Sequence, residues 1–176
     1  MITFFLALVI FLISCYGFVN DNFYNDCSFS PSLMIYLNTW RSTIRRTLFY
    51  SFVHVDWLHL VMNLIVFIIL GYRIEKNIHI ENYSYVVMLS ILLTPLFSFF
   101  RHCKSKNYHS VGISGVTSCF MTFGLFICPS WIFYMIAGST FAGYFFGKKD
   151  WIAQEVHISG YVLGIIFGLL FNIYAL

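Results

Sequence analysis

The sequence predicts an all-α membrane protein, a single bundle of six transmembrane helices, and three observations lead there. Of its 176 residues, 60% are hydrophobic and only 10% are charged, where a soluble domain is about a quarter charged. The mean hydropathy is +0.80. The charges cluster between apolar runs of spanning length. A span takes ~20 residues, so about six fit, with little left for an extramembrane domain.

Residues 1–19 (MITFFLALVIFLISCYGFV) are uncharged and long enough to span. They lack the basic leading segment of a signal peptide and are read as a retained helix. The tetrapeptide LISC at Leu12–Cys15 is a faint lipoprotein-like sequence that lacks the same basic flank. Residues 20–47, with Asp21, Asp26, Pro31, Arg41, Arg45 and Arg46, form a polar and aromatic segment too long for a hairpin. Such a composition suits a segment lying along the membrane interface. A second span is expected over 52–72, ending at Arg73-Ile74-Glu75-Lys76, and a third over 83–100, where Pro95 is placed to kink it. After a polar loop at 101–110 come spans at 111–128, at 131–147 behind the turn Pro129-Ser130, and at 152–176 behind Lys148-Lys149-Asp150. There are no repeats or low-complexity tracts, so residues 1–176 read as one domain.

Composition also argues against several functions. Cys15, Cys27, Cys103, Cys119 and Cys128 are scattered without a CxxC pair and read as small apolar residues. The net charge of +3 comes from basic residues in loops, with no basic face for nucleic acid. His54 and His59, five apart on one helix, are poorly placed for one metal, and no carboxylate–histidine cluster supports a metal or haem site at these or at His79, His102, His109 and His157. No cofactor is expected.

Polar groups are costly in hydrocarbon, so each one inside a span is a functional candidate. Three sets stand out. The second span opens HVDWLHLVMNL, in which His59 and Asn63 are four apart and share a helical face. The fourth opens Gly112-Ile113-Ser114-Gly115. The sixth opens His157-Ile158-Ser159-Gly160, followed by Gly164 and Gly168. Gly160, Gly164 and Gly168 form a stripe at four-residue spacing, and such stripes let membrane helices approach until their backbones nearly touch. His157 lies within about 60° of that stripe. Gly112 and Gly115 make the start of the fourth span a natural neighbour, so a close serine–histidine pair is plausible from spacing alone.

The chemistry of such a pair is acyl transfer. A serine hydroxyl becomes a useful nucleophile when a neutral imidazole accepts its proton. The side chains of His59 and Asn63, with the Ser114 backbone N–H at a helix start, would be donors for an oxyanion. Taken singly, a GxSG is also what small-residue helix contacts look like, and a lone membrane histidine is more often a buried hydrogen-bonding residue. The argument for a site is the coincidence of all three sets at the mouths of spans two, four and six, which open on the same side.

These residues resemble a rhomboid intramembrane serine protease. The family pattern HxxxxHxxxN, then GxSG, then HxxGxxxG is matched by FVHVDWLHLVMNL, GISGV and HISGYVLG in that order, and the resemblance covers roughly residues 40–170. It implies Ser114 as nucleophile and His157 as general base, a dyad without an acid. It implies His59 and Asn63 as lining of the oxyanion hole and His54 as a structural hydrogen-bonding position. It also implies that the partners are transmembrane protein substrates within a lipid bilayer. A catalytically inactive member that binds membrane helices is the rival reading, and retention of both Ser114 and His157 argues against it.

The chain departs from the family pattern in three places. The tryptophan–arginine pair of the first loop falls on Arg45-Arg46, with Trp40-Arg41 five residues upstream, so Arg46 is expected in the arginine's role. The aromatic residue one turn after the nucleophile is Ser118, which suggests a less rigidly held base. Residues 148–156 leave room only for a small cap. Family topology would also put eight of the ten Lys and Arg residues on the outer side, opposite to the positive-inside rule.

Overall fold

The computed structural model describes residues 1–146 and 154–174. Among these, ten α-helices follow one another: α1 (Ile2–Val19), α2 (Asp21–Cys27), α3 (Pro31–Leu37), α4 (Trp40–Phe49), α5 (Trp57–Glu75), α6 (Ile80–Leu93), α7 (Leu96–His102), α8 (Ser114–Ile127), α9 (Trp131–Phe146) and α10 (Gln154–Tyr174). The only extended pairing among the described residues is a single antiparallel bridge between Phe29 and Ser110.

Among the described residues, four segments are long and apolar enough to cross a bilayer: Ile2–Val19, Trp57–Glu75, Ile80–His102 and Gln154–Asn172. Between 22% and 39% of each is buried within the protein, so most of their apolar surface needs lipid to cover it. This is an integral, multi-pass membrane protein. The expected count of six spans is met only in part, because α8 has 14 residues and α9 has 16. The shortness of α8 has a physical reason. It is the central helix, with Gly115 to Met121, Phe123 and Gly124 all buried. A helix enclosed by protein need not match the hydrocarbon thickness. The expected end of span five at 147, the start of span six at 152–153, its last residues 175–176 and the cap residues 148–153 lie outside the described residues.

Local chemistry moves several expected boundaries. The second span was expected from residue 52, but α5 begins at Trp57 because the Asp56 carboxylate caps it, accepting from His59 N–H at 2.7 Å. Tyr50–Phe52 forms a separate 3₁₀ turn, which leaves His54 outside the helix. At Pro95 the third span divides into α6 and α7, since proline offers no N–H and crowds the preceding turn. Residues 20–47 coil into helices. Asn20 caps α2 by accepting from Phe23 N–H at 2.9 Å, Pro31 opens α3, and Asn38 closes it in the left-handed region at φ 44°.

The core gathers around α8. Phe120 stacks on Phe67 of α5 at 5.6 Å between ring centres and tilts against Tyr83 of α6 at 5.8 Å. At the opposite end from Ser114, the Glu75 carboxylate accepts from Ile2 N–H (2.6 Å), Thr3 N–H (3.0 Å) and Thr3 Oγ (2.6 Å). This ties the start of α1 to the end of α5 and satisfies N–H groups that α1 itself cannot.

Candidate active site

Ser114 is the first residue of α8. Its backbone N–H is therefore among those with no acceptor inside the helix. The chain reaches it through a constrained approach. Phe29 and Ser110 exchange N–H···O bonds of 3.0 Å each, and Gly112 N–H donates to Tyr50 O at 2.8 Å. Gly112 has φ 104°, a region side chains rarely adopt, and a Cβ there would lie 2.9 Å from His59 Cε1 and 3.4 Å from His54 Cδ2. Gly112, expected as a helix-packing residue of span four, is instead a turn glycine that lets two histidines approach the backbone.

His54 is buried and clamps this turn. Ser14 Oγ of α1 donates to Phe52 O at 2.8 Å, so it meets His54 Nδ1, 3.0 Å away, as an acceptor. The proton is thereby assigned to Nδ1, and Nε2 is left to accept from Ile113 N–H at 3.4 Å. One hydrogen-bond chain thus runs from α1 to the residue before Ser114.

His157 is the fourth residue of α10, and its Nδ1 lies 3.1 Å from Ser118 Oγ, one turn beyond Ser114 on α8. The glycines of α10 permit that distance. A Cβ at Gly160 would meet Gly115 O, lie 2.8 Å from Ser118 Cβ and 3.1 Å from Cys119 N; one at Gly164 would meet Cys119 O and Thr122 Oγ and lie 2.9 Å from Phe123 N. At Gly168 the obstacle is the Phe126 side chain, with its Cβ at 2.9 Å. On the partner helix, a Cβ at Gly115 would lie 2.6 Å from Val156 Cγ1 and 2.8 Å from Thr94 Oγ. Across the same seam Thr122 Oγ donates to Tyr161 O at 2.9 Å. Outside it, Glu155 receives Arg101 Nε at 3.1 Å and His102 Nε2 at 3.4 Å, which fastens the start of α10 to α7.

Ser114, His157, His59 and Asn63 line one cavity of about 410 Å³, with Met62 and His109 among the other walls. Asn63 Nδ2 donates one hydrogen to His59 O at 2.9 Å, which orients the amide and leaves its second N–H for a ligand. Burial and the nearby Arg46 guanidinium lower the pKa of His109, which favours a neutral ring. No group of three or more metal-ligating side chains is gathered among the described residues.

Arg46 and Trp40 part company in the first loop. It is buried at 3% exposure and donates through Nη1 to Asn25 O (2.7 Å) and Ser28 O (2.8 Å), beside the Phe29–Ser110 bridge. Asp26 offsets part of the burial that lowers its pKa. Trp40 is 69% exposed, with Arg41 over its ring at 5.3 Å, so that pair faces outward. Sequence reasoning missed Ser14, Tyr50 and Asp56, and it read Ser118 as the loss of an aromatic support. Of these, Asp56 alone carried a usable signal, an aspartate directly before an apolar helical run.

A multi-pass helical membrane protein whose half-buried hydroxyl, imidazoles and carboxamide line one cavity at a helix mouth is the class that fold and cavity define. A model of the rhomboid domain matches residues 41–174, and the chain belongs to the rhomboid family. No curated protein matches it.

Proposed function

We propose that the protein is an intramembrane serine endopeptidase with a Ser114–His157 dyad, crossing the membrane six times with α8 and α9 as the two short spans. The observation that carries this reading is the shared cavity of Ser114, His157, His59 and Asn63. Its substrates are single-pass transmembrane proteins with a locally unwound segment, because a helical carbonyl is already hydrogen-bonded and shielded.

In this mechanism Ser114 Oγ attacks the scissile carbonyl carbon while its proton passes to His157 Nε2. The C=O π pair becomes an oxyanion facing the Ser114 N–H, the Asn63 amide and the His59 ring. Collapse of the tetrahedral species breaks the C–N bond, and His157 gives its proton to the leaving amine. A water, deprotonated by the same imidazole, then attacks the acyl carbon; the C–Oγ bond breaks, His157 returns the proton to Ser114 Oγ, and the acid is released. The test is labelling of the detergent-purified protein with a fluorophosphonate probe, alongside cleavage of a transmembrane substrate in liposomes. Labelling and cleavage that are lost in Ser114→Ala support the reading. A wild-type protein that neither labels nor cleaves, yet retains binding to transmembrane helices, would make this a non-catalytic member.

A further inference from the structure

Ser118 stands where a larger side chain would be expected to support the base, and the helix seam shows why it is small. Gly160 packs so closely that a Cβ on it would lie 2.8 Å from Ser118 Cβ, and Ser118 is fully buried. A two-atom side chain fits that gap and still brings its oxygen to 3.1 Å from His157 Nδ1. Resting on the dyad reading above, we propose that Ser118 is a positioning residue that accepts the Nδ1 proton of His157 and so holds the imidazole in its Nδ1–H tautomer.

The consequence falls on the other ring nitrogen. A neutral imidazole carries one proton, so a proton held at Nδ1 leaves a lone pair at Nε2, which the base needs in order to take the Ser114 proton. The alternative tautomer would put N–H toward the nucleophile and remove the acceptor. When Nε2 takes that proton, Nδ1–H remains bonded to Ser118 and becomes a donor on a charged ring. Charge-assisted hydrogen bonds are roughly twice as strong as neutral ones, so the contact tightens as the intermediate forms. Ser118 keeps its own proton throughout and touches no substrate atom. At His54 the proton is likewise placed on Nδ1, there because Ser14 Oγ donates to Phe52 O and meets the ring as an acceptor. Two histidines at the site are thus oriented by serines of neighbouring helices.

The tautomer can be read without any substrate. Nitrogen NMR of the detergent-solubilised full chain, with isotopically labelled histidine and His157 assigned by its loss in His157→Gln, should show a protonated Nδ1 and an unprotonated Nε2. Ser118→Ala should convert this to a mixture or to Nε2–H. On a cleavable substrate, Ser118→Ala should lower kcat about tenfold at unchanged KM, the size of one hydrogen bond. A proton on Nε2 in the wild-type ring, or a tautomer indifferent to Ser118→Ala, would overturn the proposal whatever the activity. Failure of the wild-type protein to label with a fluorophosphonate would instead overturn the dyad reading, so the two failures are distinct.

Discussion

The cavity is built by two kinds of joint. On one wall, α8 and α10 meet backbone to backbone, with Gly160 and Gly164 against Gly115 O and Cys119 O. On the other, the approach to Ser114 is held to α1 and the first loop by directional bonds through Ser14, His54, Tyr50 and the Phe29–Ser110 bridge. A glycine seam sets a distance by exclusion, and nothing larger fits. A hydrogen-bond clamp sets an orientation, and each of its members contributes a modest, separable amount. The seam should therefore fail abruptly when altered and the clamp gradually.

The largest effects are expected at the proposed dyad, Ser114 and His157, which the two joints bring to one cavity. Ser114→Ala and His157→Ala should each abolish cleavage of a transmembrane substrate while leaving detergent stability nearly unchanged. Wild-type cleavage by either variant would remove that residue from the dyad. Gly164→Val comes next. Its branched side chain must displace Cys119 O and Thr122 of α8, and with them His157 from Ser114, where a shift of ~1 Å can cost around a hundredfold in rate. Here lost activity should come with a lowered midpoint of thermal unfolding. A stable and active Gly164→Val would mean that the seam tolerates separation, and the contrast between the two walls would disappear.

Asn63→Ala tests the clamp side closest to the chemistry. It should lower kcat with little change in KM, because an oxyanion donor acts chiefly in the transition state, where losing one costs ~2.7–4 kcal/mol. A rise in KM at constant kcat would place Asn63 in substrate binding instead.

The sequence announces the two walls unequally. Ser114, His157, His59 and Asn63 stand out because imidazoles, a carboxamide and a glycine-flanked hydroxyl are conspicuous in apolar runs, and the structure brings them to one cavity. The α10 glycines announce a close contact through their spacing. The clamp is nearly silent because its members are hydroxyls. Serines in membrane helices commonly bond a carbonyl one turn back, as Ser90 does to Val86 O at 2.6 Å and Ser84 to Ile80 O at 2.8 Å. A serine in a span thus gives no sign of what it faces, and Ser14 and Ser118 look no different from these. The shortness of α8 was equally hidden, because it follows from the positive φ of Gly112 and from enclosure by other helices. The helices of the first loop were better advertised, by Asn20, Pro31 and Asn38 at their ends.

The smallest effect, and the sharpest test of the clamp, belongs to Ser14→Ala. Ser14 touches neither Ser114 nor His157, and lies on the helix that the rhomboid match leaves out. Losing its oxygen strands the His54 Nδ1 proton in a buried position. The ring cannot escape by switching tautomer, because Nε2 would then present a proton to the Ile113 N–H it now accepts from. A buried donor left without a partner costs about 1–3 kcal/mol, and that loss should appear as a lower unfolding midpoint in detergent. Activity well below the midpoint should stay within a few-fold of wild type, since Tyr50 O and the Phe29–Ser110 bridge still hold the approach to Ser114. An unchanged midpoint would show that α1 does not fasten the site. Activity lost at full stability would show that this bond sets Ser114 as strictly as the glycine seam does.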